Sequence, residues 1–126
     1  MIDKHEMFEL ALKACPSFEP AWKEFIAEWD GEKDLPLYLA LGDLSRHISK
    51  LVEEKQDSEL DALFAVIERW HTEGSPYVRE AATIGLLEGL QGESNARSIE
   101  LYLLPESKIW WDRVNEFWEN GKLISE

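Results

Sequence analysis

LDALFAVIERWHTEGSPYVREAATIGLLEGLQG, residues 60–92, is the stretch that decides the fold. Leu60, Leu63, Phe64, Ile67 and Trp70 recur every three or four positions, the spacing of one helical face rather than the alternation of a strand. Gly74 stops that helix, and Ser75 followed by Pro76 reads as an N-cap and a first-turn proline that open the next. A connection so short predicts an antiparallel pair.

The same punctuation recurs on both sides. Asp3 and Glu6 form a capping pair before a helix carrying Met7, Phe8, Ala11, Leu12 and Cys15, which ends at Pro16. Phe18, Trp22, Phe25, Ile26 and Trp29 make the stripe of a second helix, ended by Gly31, and predict core positions for Trp22 and Trp29. Leu37, Leu41, Leu44, Ile48, Leu51 and Val52 mark a third. Ser94 or Asn95 opens a sixth, closed at Pro105, and the last carries Ile109, Trp110, Val114, Phe117 and Trp118. The reading is all-α, about seven short helices in one compact domain over residues 1–126. The polar run from Glu53 to Asp61 is its softest joint.

Composition separates the function classes. The chain has 26 acidic and 13 basic residues, a formal charge of -13, yet 44% of it is hydrophobic and six residues are tryptophan. A disordered acidic tail is poor in such residues, so the charge belongs to a folded surface. That surface repels nucleic acid and anionic lipid, whose binding depends on Lys and Arg. It steers instead towards a basic protein, with solubility alone as the alternative. Cys15 is the single cysteine, so no intramolecular disulfide forms. The opening MIDKHEMFEL lacks the pattern of a signal peptide, and no run is apolar enough to cross a bilayer, so the expected compartment is the cytoplasm.

Few residues point to chemistry. Glu68 and His71 share one helical face, and Asp43 and His47 form a second carboxylate and imidazole pair one turn apart. If their helices are antiparallel neighbours, the four could converge on zinc or iron. A di-iron site needs two Glu-x-x-His motifs and further inward glutamates, so the expectation is no metal or cofactor, with these four as the alternative. Cys15 ends an apolar stripe without a base beside it. Ser45 and His47 lie two apart on a helix and face different ways. No glycine pattern cradles phosphate, and no catalytic residue is assigned.

Candidate partner-binding residues fall in two acidic clusters and one aromatic. Glu28, Asp30, Glu32 and Asp34 lie at the end of the second helix and in the loop after it; Glu53, Glu54, Asp57, Glu59 and Asp61 surround the joint. A solvated face with favourable first-turn acids explains the same residues. With Trp110 aligned to Val114 and Phe117, its neighbour Trp111 falls about 100° away at the stripe's edge, where it is expected to be partly exposed.

Two resemblances bear on these readings. SPYVREAATIGLLEGL, through Val78, Arg79, Ala81, Ala82, Gly85 and Leu86, resembles one helix of a HEAT-type repeat, which implies irregular, solenoid-like stacking of helix pairs and, as one function, an adaptor or scaffold. The size, the acidity and the helical layout ending in IWWDRVNEFWENG resemble the immunity proteins that bacteria keep beside polymorphic toxins. That resemblance implies a non-catalytic inhibitor, monomeric when free, that binds a basic secreted toxin domain one to one. On it the acidic clusters steer the partner while Trp111 supplies buried contact.

Overall fold

The computed structural model describes residues 1–121, and its fold is all-α, with seven helices among those residues. Asp3 opens α1 (Lys4–Ala14) with a complete capping box: its carboxylate accepts the amides of His5 and Glu6, and the Glu6 carboxylate accepts the Asp3 amide. Reciprocal bonds of this kind satisfy amides that the first turn leaves without partners. A 3-10 turn (Pro16–Phe18) redirects the chain into α2 (Glu19–Glu28). The long pair α3 (Leu37–Glu53) and α4 (Asp57–Glu73) follows. Ile2 ties the chain's start to the end of α4, donating to the Glu73 carbonyl at 2.8 Å and accepting from the Ser75 amide at 2.8 Å.

Helix α5 spans 76–91 without a break, although its middle, Ala81–Leu87, is wound as a wider π-helix between two α-helical ends. Ser75 caps it through the Val78 amide. Val78, Ala81, Ala82, Thr83, Leu86, Leu87 and Leu90 are all buried, because α3, α4 and the last helix enclose this segment; a helix apolar over most of its circumference is a buried one. Its glycines allow the close approach. A Cβ on Gly85 would lie 2.6 Å from Leu41 Cδ1, and one on Gly89 would lie 2.8 Å from Ser45 Oγ. The short α6 (Ala96–Glu100) leads to α7 (Pro105–Asn120), which ends at Gly121 with φ +71.

Two sequence expectations need correction. Trp111 is not at the exposed edge of α7: it is 2% accessible, and Ser107, Trp111 and Val114 form the buried line against α4 and α5. Trp110 and Phe117 are half-buried, while Ile109 and Trp118 are exposed, so the stripe is rotated by one residue from the expected phase. The core prediction for Trp22 and Trp29 holds only for part of each ring. Helix α2 lies at the margin of the fold; Phe25 is buried beneath it, Ile26 is exposed, and Trp22 stacks on Phe8 with ring centroids 4.5 Å apart.

Candidate functional site

The two acidic clusters stand apart. The first runs from Glu28, the last residue of α2, to Asp34 before α3, and the second spans the joint of α3 and α4; Glu28 lies beside the middle of α3, lining one shallow pocket with Asp43, Arg46, His47 and Lys50. Glu28, Asp30, Glu32, Glu53, Glu54 and Asp61 are exposed and form no ion pair among the described residues. Asp34 and Asp57 are also exposed, but Asp34 meets Lys4 at 3.9 Å and Asp57 accepts the Tyr102 hydroxyl.

Glu59 is half-buried and committed inward. Its Oε2 accepts the Ser17 amide at 3.2 Å and the Ser17 hydroxyl at 2.8 Å. His47 Nε2 lies 2.7 Å from the same hydroxyl, and Cys15 Sγ 3.5 Å from it. With the serine proton given to Glu59, His47 is the donor to Ser17 Oγ. Burial tends to raise the pKa of Glu59, but hydrogen bonds from Cys15 and Ser17 outweigh it and hold the carboxyl below its ordinary range. Burial lowers the pKa of His47. Burial also pushes the Cys15 thiol up to about 11. Glu59 is thus a weakly basic carboxylate and Cys15 a protonated thiol; the cluster fastens the 3-10 turn to α3 and α4.

The Glu68 and His71 pair does converge on one target, the start of α7. Glu68 Oε2 accepts the Glu106 amide at 2.9 Å, and Oε1 accepts the Ser107 amide and hydroxyl, each at 2.8 Å. Leu104, at the N-cap position, offers no side-chain bond, so a carboxylate from α4 does the capping. His71 is buried, with Nδ1 3.0 Å from the Ile67 carbonyl and 3.1 Å from Ser107 Oγ, and Nε2 3.2 Å from Thr83 Oγ1. Burial tends to raise the pKa of Glu68 and is outweighed by these bonds, which hold it low; burial lowers that of His71. Asp43 pairs instead with Arg46. Asp43, His47, Glu68 and His71 therefore form no common ligand set, and no group of three or more His, Cys, Asp or Glu suited to a metal occurs among the described residues.

A cleft of about 330 Å³ opens between α1, the segment before α3 and the start of α5. Phe8, Leu12, Trp22 and Leu37 form its apolar wall, and Lys4, Asp34 and Tyr77 stand at it. Lys4 Nζ lies 5.9 Å from the centre of the Tyr77 ring, and Tyr38 meets Tyr77 with ring centroids 6.3 Å apart.

Residues 8–119 match the model of a family described as a domain of unknown function, DUF7674. The chain belongs to that family. No curated protein and no solved structure matches it. The DUF7674 match takes in the Ser17 cluster, the Glu68 clamp and both acidic clusters, and leaves Lys4 of the cleft outside. Within this DUF7674 domain, sequence reasoning missed Ser17 because His47 and Glu59 lie 30 and 42 positions away, beyond any local spacing. It missed Tyr38 and Tyr77 because neither belongs to an apolar stripe. No helix among the described residues is long and apolar enough to cross a membrane.

Proposed function

We propose that this chain is a non-catalytic, acidic protein-binding domain of the cytoplasm, and within that class an immunity protein that neutralises a cognate basic toxin by one-to-one binding. The observation that carries this reading is the set of exposed carboxylates, Glu28, Asp30, Glu32, Glu53, Glu54 and Asp61, without ion-pair partners among the described residues. Acids that serve the fold, such as Glu59 and Glu68, have their bonds filled from within. The six have theirs open to solvent or to a partner, and on a chain of formal charge -13 they accelerate encounter with a cationic surface and disfavour anionic ones.

The test is recovery of the tagged chain from its native host at low salt, with retained species identified by mass and then challenged by a salt step. The reading expects one basic protein at near-equal stoichiometry, whose own activity falls when this chain is added. Reversal of Glu53, Glu54 and Asp61 to lysine should weaken that complex at least tenfold while the helical content stays constant. A diffuse set of weak partners, or a single partner whose activity is untouched, overturns the inhibitor reading.

A further inference from the structure

Lys4, in the first turn of α1, reaches towards both Asp34 and Tyr77 at the cleft. Lys4 Nζ is 3.9 Å from Asp34 Oδ1 and 5.9 Å from the Tyr77 ring centre, both near the outer limit of a useful interaction. The two side chains are 44% and 87% accessible, so water screens the pair and little holds it closed. Tyr77, which lines the cleft together with Phe8 and Trp22, remains 41% accessible, and Tyr38, with its ring centroid 6.3 Å from that of Tyr77, remains 39% accessible. Burial, and after it the nearby Glu80 carboxylate, holds both phenols above their ordinary range. The cleft thus sets the Tyr77 ring beside the Asp34 carboxylate, with Glu9 as a second acid and Lys4, Lys33 and His5 as basic groups in the same lining, while Glu32 and Asp30 carry exposed acids along the adjoining chain. Leu35 joins Leu12 and Leu37 in the apolar part of the lining.

We infer that this cleft is the anchor point for an arginine side chain of a basic partner protein, which takes the place of Lys4 between Asp34 and Tyr77. The inference rests on the basic-partner reading above and names its contact face. A guanidinium fits better than the resident ammonium for two physical reasons. It bonds a carboxylate through two parallel N–H groups, and its plane stacks on a phenol ring while its stem lies along apolar wall. Tyrosine and tryptophan beside a pocket, with acids around it, match the anchors that carry most of the energy in protein interfaces. Trp111, being buried, has no part in it.

The probe is the capped tripeptide acetyl-Gly-Arg-Gly-amide, titrated into the full chain at low salt and followed by NMR at the ring signals of Tyr38, Tyr77 and Trp22. Its citrulline counterpart, of the same shape without charge, is the control. Saturable shifts at Tyr77 with arginine and none with citrulline are expected. Tyr77→Ala and Asp34→Asn should each weaken binding at least threefold. Lys4→Ala should strengthen it at least threefold, whereas Lys23→Ala, which changes the net charge equally from the Glu19 pair on α2, should change it less than twofold. Equal effects of the two lysine substitutions, equal binding of citrulline, or cleft shifts produced by 1-naphthoate instead of arginine would each overturn the assignment. Arginine-specific shifts confined to Glu53, Glu54 and Asp61 would overturn this face and leave the basic-partner reading standing. If no signal in the protein distinguishes arginine from citrulline, the proposal falls and the partner reading loses its electrostatic support as well.

Discussion

Replacing Glu68 by alanine should destabilise the fold by weakening the start of α7. The Glu68 carboxylate accepts three hydrogen bonds, from the Glu106 amide at 2.9 Å and from the Ser107 amide and hydroxyl at 2.8 Å each, and no other side chain caps α7. Loss of an N-cap costs about 0.5–2 kcal/mol, and a hydrogen bond to a charged group contributes about 1.5–3 kcal/mol. Water reaches part of this half-buried carboxylate and lets the freed amides recover some bonding, which brings the expected loss for Glu68→Ala to about 2–3 kcal/mol. Glu68→Gln keeps an acceptor oxygen but loses the charge at the helix start, and should cost about 1 kcal/mol. Urea unfolding followed by far-UV circular dichroism measures both. With a slope of about 2 kcal/mol per molar urea, the alanine variant's midpoint falls by about 1–1.5 M. Ser107→Ala removes a partner of the same carboxylate, so the double variant should lose less than the sum of the singles. The sign with pH follows from the lowered pKa of Glu68. The stabilisation is complete above the ordinary glutamate value of 4.5 and disappears as pH falls through the lower folded value, a dependence that Glu68→Gln should lack. A loss below about 0.5 kcal/mol for the alanine variant, the range of an ordinary surface change, refutes the clamp.

Other substitutions test the packing and the buried groups. Trp111→Ala should cost about 3–5 kcal/mol and Trp118→Ala under about 0.5 kcal/mol; similar costs for the two would mean that the phase of α7 is wrong. Gly85→Ala brings a methyl carbon to 2.6 Å from Leu41 Cδ1 and should lower stability by about 1–3 kcal/mol in thermal or urea melts. His71, whose pKa burial lowers from 6.5, is stable neutral, so its contribution is whole above that pH and is lost as pH falls from there towards the folded value; His71→Gln should flatten that part of the stability profile. Cys15, buried and with its thiol near 11, should react with a disulfide reagent at pH 8 only as fast as the protein opens, so that urea below the transition speeds the reaction.

How much of this was legible in the sequence depends on how far apart the interacting residues lie. The Asp3 and Glu6 capping box, the Ser75 cap with Pro76, and the burial of Leu60, Leu63, Phe64, Ile67 and Trp70 are set within one or two helical turns, where spacing alone decides geometry. Helix α7 shows where that logic stops. Ile109, Trp110, Trp111, Val114, Phe117 and Trp118 support two phases almost equally, and the choice falls to what α4 and α5 present. Glu68 grips the amides of Glu106 and Ser107, which turns Ser107 inward, and Trp111 and Val114 lie one and two turns further along the same face. The Glu68 and His71 spacing put both side chains on one helical face, but it gave no means of telling a helix start from a metal ion, since both attract carboxylates. The Ser17 cluster had no such clue. It joins a 3-10 turn to two helices, and only the tertiary path of α3 and α4 brings His47 and Glu59 to it. The arginine cleft has the same origin: Lys4, Asp34 and Tyr77 come from three separate segments, and their meeting depends on Ile2 binding the α4–α5 turn, which brings the start of α1 beside the start of α5.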